Sequence, residues 1–220
     1  MGHFPFFMEI EGKKGVIVGG GKVAARKVEK LLAFDPELTV IAPQIEECIR
    51  IQEKLLQKDA AASLLFRERE LRMEDLEGAD YVIAATDEEA LNGRIADYCR
   101  KHRIPVNVVD DSKKCTFFFP ALVKEGPLTI GISTDGQSPV AASWTRKEIS
   151  RMLPEGLGNV IDLLGRVRPM VLQVDEGEDV RKEILERMFF YCLEKEGKVT
   201  PEELTGIFLK ESGASRGIKE

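Results

Sequence analysis

A short strand that runs into three glycines and then into a helix constrains this chain most. Residues 13–18, KKGVIV, form a β-branched run, and residues 22–33 carry apolar side chains at helical spacing. Between them, GGGKVA at 19–24 fits the pattern G-x-G-x-x-A. Such a turn lets the backbone approach a phosphate closely, and the helix start offers free N–H groups. The pattern predicts a dinucleotide site at Gly19, Gly20 and Gly21, although a turn that merely favours glycine would look the same in isolation.

The second strand, LTVIA at 38–42, lacks the acidic residue that usually holds a ribose hydroxyl of the dinucleotide. That position reads Ala42-Pro43-Gln44, and no arginine stands there to receive a 2′-phosphate. Backbone groups of these three residues would therefore have to hold the ribose. NAD and NADP both stay open on physical grounds, with NAD favoured because this loop carries nothing basic.

Further strands are predicted at 63–69, 80–85 and 104–110, alternating with helices at 43–58 and 88–102. Such alternation up to about residue 112 favours a doubly wound parallel sheet. Thr86 and Asp87 follow a strand on the cofactor side. They could contact the nicotinamide ribose, and capping of helix 88–102 explains them nearly as well.

The pattern changes after Asp111. Two strands at 116–123 and 127–134 flank a hairpin turn predicted at 124–126, and Ser138-Pro139 then starts a helix that runs to about residue 152. The remainder reads as helical. The fold class is therefore α/β, with a Rossmann domain over 1–112, a small hairpin and helix segment over 113–152, and a helical C-terminal domain over 153–220.

Composition excludes several functional classes for this chain of 220 residues. Its net charge of −6 argues against a sequence-independent nucleic-acid binder. No apolar run approaches the roughly 20 residues of a membrane span, and the N-terminus does not resemble a signal peptide. Four scattered cysteines without a CxxC pair, and only two histidines, predict no metal site and fit a reducing cytoplasm.

Five segments in order resemble one family: GVIVGGGKVAARKVEKLL, LTVIAP, DYVIAATDEEALNGRI, VNVVDD and FFFPALVKEGPLTIGISTDGQSPVAA. The chain is similar over about residues 3–172 to the precorrin-2 dehydrogenases, the oxidase and ferrochelatase module of sirohaem synthases. The resemblance implies an NAD-dependent oxidation of precorrin-2 to sirohydrochlorin. It also implies a homodimer, with the segment 113–152 pairing across the two chains. Some members insert Fe²⁺ into the product, and whether this chain accepts Fe²⁺ or Co²⁺ stays open.

The resemblance also assigns candidate residues. Asp110 matches the aspartate of the family's NVVD motif, and a carboxylate there could take a proton from the ring system. Asp111 is its nearest rival, and an ordinary loop carboxylate is the plain alternative. Lys22 and Val23 match cofactor contacts of the family, as do Pro43 and Gln44.

Four residues are candidates for binding precorrin-2, which carries eight carboxylates: Asn107, Ser138, Arg146 and Lys147. Each has a structural alternative. Asn107 could satisfy backbone at a strand end, Ser138 could only cap its helix, and the two cations could form a solvated face. From 139 to 172 there are five basic residues against three acidic ones (Glu148, Glu155 and Asp162), so an acidic chain still offers a basic surface.

Three more residues receive structural interpretations. Cys115 is expected to be a buried thiol and His102 a surface imidazole, while Trp144 is expected in core or dimer packing more than in stacking on a tetrapyrrole. Two other functions compete with the dehydrogenase. A dinucleotide-sensing or interaction module without catalysis would explain the glycine turn but not ISTDGQSP, and a dehydrogenase of a smaller substrate would not need the basic helix.

Overall fold

The structure, a computed structural model, describes residues 3–56, 61–173 and 177–211, with side chains up to residue 208. The chain divides into two compact units. One unit comprises 6–119, and the other comprises the chain from Pro120 onward together with N-terminal residues up to Pro5.

A parallel five-stranded sheet forms the unit 6–119, as the alternation of strands and helices predicts. The strand order is β3-β2-β1-β4-β5, so the first strand lies at the centre and the chain crosses back over it between β3 and β4. Helices pack on both faces, which is why the central strands read as continuous apolar runs. The elements are β1 (Lys14–Val18), α1 (Lys22–Leu32), β2 (Glu37–Ile41), α2 (Glu47–Leu55), β3 (Ser63–Arg67), β4 (Tyr81–Ala84), α3 (Glu89–His102) and β5 (Val106–Val108).

Two apolar clusters cover the two faces of this sheet. On one face, Val28 of α1 is fully buried against Ile17 and Val40. On the other face, Ile95 of α3 is fully buried against Val82. Burying one such side chain stabilises the fold by about 1.5–3 kcal/mol, so these clusters hold both helices against the sheet. Each helix follows its strand directly, and its N-terminus therefore lies at the carboxyl edge of the sheet.

Helix α2 is shorter than the predicted span 43–58. It begins at Glu47 because residues 43–46 form the turn after β2, where the Glu46 N–H donates to Gly20 O at 2.9 Å. Residues 57 and 58 of the prediction lie outside the described residues.

The second unit contains an antiparallel hairpin and helices. The hairpin pairs β6 (Ala121–Glu125) with β7 (Leu128–Ile132), so the prediction of a turn at 124–126 is wrong by about two residues. The turn is Gly126-Pro127 because Gly126 adopts φ +53° and a Cβ there would lie 2.9 Å from the Gly158 Cα. Four helices follow: α4 (Pro139–Met152), α5 (Leu157–Leu172), α6 (Glu178–Glu194) and α7 (Pro201–Glu211).

The first predicted strand of the hairpin is also shorter than expected. Residues 116–120 lie outside the ladder, and β6 starts only at Ala121. Pro120 has no N–H to donate to a ladder. The residues before it are used elsewhere, since Phe117 and Phe119 pack against the apolar cluster of the parallel sheet.

The C-terminal helices share an apolar core. Ile184, Met188 and Cys192 are buried along one face of α6, as their spacing predicts. The Thr200 and Glu203 pair forms a capping box at the start of α7, with each side chain accepting from the other residue's backbone N–H. Within the described ranges, no helix has the length and apolar character needed to cross a membrane.

Candidate functional site

The glycine turn lies where the strand order of the sheet reverses, between β1 and β4. Gly19 adopts φ +119°, and a Cβ there would lie 2.2 Å from Ala85 O at the end of β4. A Cβ on Gly20 would lie 2.0 Å from Gln44 O after β2. Gly21 differs, because a Cβ on it would meet no atom within 4 Å. The first two glycines therefore let the protein pack on itself, and the third leaves open space for a ligand.

Helix α1 begins at this open space with unpaired backbone donors. Gly21 is its N-cap, and no side chain caps it. The first intrahelical bond runs from Ala25 N–H to Gly21 O at 3.0 Å, so the amides of residues 22–24 have no partner within the helix. No acidic residue stands in the first turn, and Ala24 is fully buried against the sheet. These features fit the pyrophosphate of a dinucleotide.

The ribose position after β2 contains a feature that the sequence reasoning missed. Ala42 is buried while Pro43 and Gln44 are exposed, which leaves backbone atoms to face a ribose. Ala42 N–H donates to Arg67 O at 3.2 Å, so an arginine at the end of β3 lies directly beside this position. The sequence analysis missed Arg67 because it is far from Ala42 along the chain, and only the parallel pairing of β3 with β2 brings the two together.

That arginine shares the carboxylate of Asp75 with Arg69. Arg67 Nη1 lies 2.6 Å from one oxygen of Asp75, and Arg69 donates to both oxygens at 2.6 and 2.7 Å. The Asp75 side chain is only 7% exposed. The Arg69 guanidinium and the other donors hold the pKa of this carboxyl well below its usual range, so the cluster stays ion-paired at neutral pH.

Thr86 does not cap helix α3, so that prediction is wrong. The helix begins at Glu89 with Glu88 as an N-cap that makes no side-chain bond. The Thr86 hydroxyl instead accepts from Glu88 N–H at 3.2 Å and contacts Asn92 Oδ1 at 2.8 Å, which closes the turn two residues earlier. Thr86 is half-buried and Asp87 is exposed at the carboxyl edge beside Gly19.

Asp110 follows β5 at the same edge of the sheet. The last sheet bond before it runs from Val109 N–H to Ala84 O at 2.9 Å. Asp110 then adopts a left-handed φ of +63° and is exposed. In the part of the chain that the structure describes, no hydrogen bond or ion pair holds its carboxylate. The rival Asp111 is engaged, since its carboxylate lies 2.8 Å from Lys114 Nζ and accepts from Lys113 N–H at 3.2 Å.

Asn107 bonds to a backbone group, which is the structural alternative that the sequence analysis gave for it. Its side chain is buried within β5, and Nδ2 donates to Phe117 O at 3.0 Å. This bond ties the segment after the Asp110 loop back to the sheet. A contact with substrate stays a prediction.

Lys27 is a second functional candidate, to which the sequence analysis assigns no role. It lies on α1, half-buried, with Nζ 3.8 Å from the centre of the Phe119 ring. Burial is the main cause that lowers the pKa of this ammonium group to about 8, and the neighbouring Lys30 lowers it further. The aromatic face partly offsets this effect by favouring the charged form. Lys27 therefore brings a readily deprotonated amine into the unit that carries Asp110.

The remaining substrate candidates lie in the other unit, on α4. Ser138 caps that helix, as predicted, because its Oγ accepts from Ala141 N–H at 3.2 Å. Arg146 is half-buried and Lys147 is exposed. Trp144 is 64% exposed, so within one chain it is not a core residue.

His102 and Cys115 have structural contacts, as the sequence indicates. The His102 ring stacks on Tyr98 at the exposed end of α3. The Cys115 thiol contacts backbone on both sides of Asp110 and is half-buried.

Comparison with known protein families decides the cofactor class. The family described as putative NAD(P)-binding matches residues 6–121, which is the whole sheet unit. The chain belongs to this NAD(P)-binding family. A second family, described as sirohaem biosynthesis protein central, matches residues 125–152, from the hairpin through α4. The NAD(P)-binding assignment agrees with the open glycine turn, and it does not distinguish NAD from NADP.

Relatives of this NAD(P)-binding chain include named sirohaem synthases, which confirms the resemblance inferred from the sequence. The sirohaem synthase of Nitrosospira multiformis is 37% identical over 171 residues, covering 78% of this chain and 36% of that protein. The sirohaem synthase of Psychrobacter sp. is 36% identical over 200 residues, covering 91% of this chain and 39% of that protein. The chain thus spans well under half the length of these relatives.

A solved structure shares the fold of this NAD(P)-binding chain. The protein named SirC, precorrin-2 dehydrogenase, superposes with a TM-score of 0.68 at 20% sequence identity. The match covers 96% of this chain and 100% of that one. The likeness therefore extends beyond the sheet unit to the hairpin and the C-terminal helices.

Proposed function

We propose that this chain is a dehydrogenase that oxidises precorrin-2 to sirohydrochlorin with NAD⁺. The observation that carries the proposal is the pairing, at one sheet edge, of an open dinucleotide turn at Gly21 with an exposed carboxylate at Asp110. The sirohaem-type match over 125–152 supports a tetrapyrrole as substrate, as do the names of the relatives and of the solved structure.

The reaction removes two hydrogens from the ring system. A bound nicotinamide cofactor would accept one of them as a hydride, giving NADH. The second hydrogen leaves as a proton, and we assign its acceptance to the Asp110 carboxylate. No hydrogen bond or ion pair among the described residues engages this carboxylate, which supports its availability to a substrate.

The backbone amides at the start of α1 would hold the pyrophosphate, and Gly19 and Gly20 would hold those amides in place. Lys22 and Val23 lie in that first turn. Thr86 and Asp87 lie beside the turn at the end of β4, where a nicotinamide ribose would lie. Ser138, Arg146 and Lys147 are proposed to receive carboxylates of the substrate from α4, and Asn107 stays a proposed substrate contact.

We propose NAD rather than NADP as the cofactor. The loop at 42–44 carries nothing basic, and the guanidinium of Arg67, whose backbone lies beside this loop, is already paired with Asp75 at 2.6 Å. A 2′-phosphate of NADP would have to compete with the Asp75 carboxylate for the Arg67 guanidinium. Titration of the protein with NAD⁺ and with NADP⁺ tests this choice, and tighter binding of NADP⁺ would contradict it.

An anaerobic assay tests the proposed function. The chain is mixed with NAD⁺ and precorrin-2, and we expect NADH and the absorption spectrum of sirohydrochlorin to appear together. Binding of NAD⁺ without turnover would favour the dinucleotide-sensing module instead. Adding Fe²⁺ or Co²⁺ to the product in the same cuvette tests metal insertion, which stays a prediction.

We also propose that the chain forms a homodimer through the segment 113–152. Val140 and Trp144 lie one turn apart on α4 and are 80% and 64% exposed. Large apolar side chains at i and i+4 form one stripe on a helix, and exposed apolar stripes are typical of association surfaces. A second copy of the segment would cover this stripe.

Trp144→Glu is expected to convert the dimer into a monomer. A carboxylate in the centre of an apolar interface loses its hydration without gaining a partner, which costs several kcal/mol. Light scattering coupled to size exclusion should give a mass near 24.6 kDa for the variant and twice that for the native chain. Ser150→Glu, at an exposed position on the same helix, is the control that should stay dimeric. A dimeric Trp144→Glu variant would contradict the assignment of this surface.

The state of the cysteines is relevant to the cellular compartment of the protein. All four carry free thiols in the structure, which is typical of proteins in a reducing compartment. A cytoplasmic location stays a prediction.

A further inference from the structure

The thiol of Cys115 contacts the backbone on both sides of Asp110. Its Sγ accepts from Val108 N–H at 3.1 Å and lies 3.2 Å from Val108 O, two residues before the aspartate. The same sulfur lies 3.3 Å from Asp111 O, immediately after it. The single S–H can donate to only one of these carbonyls at a time. The thiol therefore links the end of β5 to the far side of the loop.

Asp110 depends on its backbone for its direction. A left-handed φ of +63° is unfavourable for a non-glycine residue and persists only where the surroundings hold it. Since no hydrogen bond or ion pair in the described part of the chain holds the carboxylate, its direction depends on the backbone of the loop. Sulfur contacts at Val108 and Asp111 fix that backbone at its two ends.

A second set of contacts supports the loop from the outside. Lys114 and Asp111 form an ion pair at 2.8 Å, and Arg100 Nη2 donates to Lys113 O at 2.6 Å. These contacts hold only residues after the aspartate. The thiol contacts the backbone on both sides of the aspartate, and the pairing of Val106 with Thr116 joins the two flanks further out. Exposed pairs of this kind contribute little individually, so the thiol is the contact whose loss should change the loop most.

We propose that Cys115 is a positioning residue for Asp110, which it serves by fixing the backbone from Val108 to Asp111. This inference rests on the proposed function, since it assumes that Asp110 takes the proton. The plain alternative is that the thiol only completes the edge of β5. The two differ in outcome, because an edge contact affects stability and a positioning contact affects turnover of the folded enzyme.

The test is a double-mutant cycle on the full chain with NAD⁺ and precorrin-2. Cys115→Ala should lower kcat about tenfold or more, since small misplacements of a reacting group have effects of this size, with the Kd for NAD⁺ within about twofold of native. Cys115→Ser should recover most of kcat, because a hydroxyl also donates and accepts. In the Asp110→Asn background, Cys115→Ala should have no further effect on kcat. Cys48→Ala, at an exposed thiol, is the matched control.

Each contrary outcome has a distinct meaning. Native kcat in folded Cys115→Ala, or an equal loss in both backgrounds, overturns the positioning role and leaves the proposed function standing. Native kcat in Asp110→Asn overturns the assignment of Asp110 as proton acceptor, and the positioning role with it. Absence of any turnover by the native chain overturns the proposed function itself. Urea unfolding of each variant confirms that only folded protein enters the comparison.

Discussion

Asp110→Asn is expected to lower kcat for precorrin-2 oxidation about 100-fold to 10,000-fold, the range that general acid–base groups contribute. The amide keeps the shape of the side chain but cannot take a proton. Asparagine tolerates a left-handed backbone well, so φ +63° at this position should survive the change. The Kd for NAD⁺, measured by fluorescence titration, should stay within about twofold of native because Asp110 does not contact the glycine turn.

Two control variants locate the effect. Asp97→Asn changes an exposed carboxylate on α3 and should leave kcat unchanged. Asp111→Asn should lower kcat less than tenfold, because the Lys114 ammonium already holds the pKa of the Asp111 carboxyl below its usual range and makes it a poor proton acceptor. A larger loss in Asp111→Asn than in Asp110→Asn would reverse the assignment of these two neighbours.

Gly21→Ala is expected to weaken NAD⁺ binding about tenfold or more, which corresponds to about 1.4 kcal/mol or more, while the free energy of unfolding falls by no more than about 1 kcal/mol, since alanine is a poorer N-cap than glycine. The new methyl group would meet no protein atom within 4 Å, so it projects into the space assigned to the pyrophosphate. Gly21 has a negative φ of −88° that alanine adopts without strain. Calorimetric titration measures the affinity, and urea unfolding measures the stability.

Gly19→Ala supplies the opposite pattern two residues away. Its methyl group would lie 2.2 Å from Ala85 O, and its φ of +119° is strained for any side chain. We expect unfolding to become easier by about 2–4 kcal/mol. If Gly21→Ala instead bound NAD⁺ as tightly as the native chain, the cofactor phosphates would not lie on this turn.

The sheet unit was predictable because its signals are local. Apolar runs such as DYVIAA end at turns that contain glycine or polar residues, and their order along the chain determines a doubly wound sheet. The cap predicted at Thr86 was wrong because its hydroxyl accepts a nearer backbone N–H, a choice that residue type alone does not reveal. Arg67 escaped notice because it reaches the ribose position through strand pairing.

Two other residues of the candidate site that sequence reasoning missed depend on the return of the chain after β5. Lys27 is significant because Phe119 lies over it, and Cys115 because it lies beside Val108. Neither contact has a periodicity that could be read in advance. The helical pattern over 22–33 predicts α1 itself, but it could not identify the neighbours of a side chain on that helix.

The edge of the parallel sheet has a consequence for how the protein avoids self-association. An outer strand offers unpaired N–H and C=O groups to any other extended chain. At β5 these groups are occupied by side chains: Val106 N–H donates to Thr116 Oγ1 at 2.8 Å, and Val108 N–H donates to the sulfur of Cys115. No sixth strand is needed to cover them, and a foreign strand finds no row of donors there. The same few residues therefore protect the β5 edge against edge-to-edge aggregation where the chain leaves the sheet for the next unit.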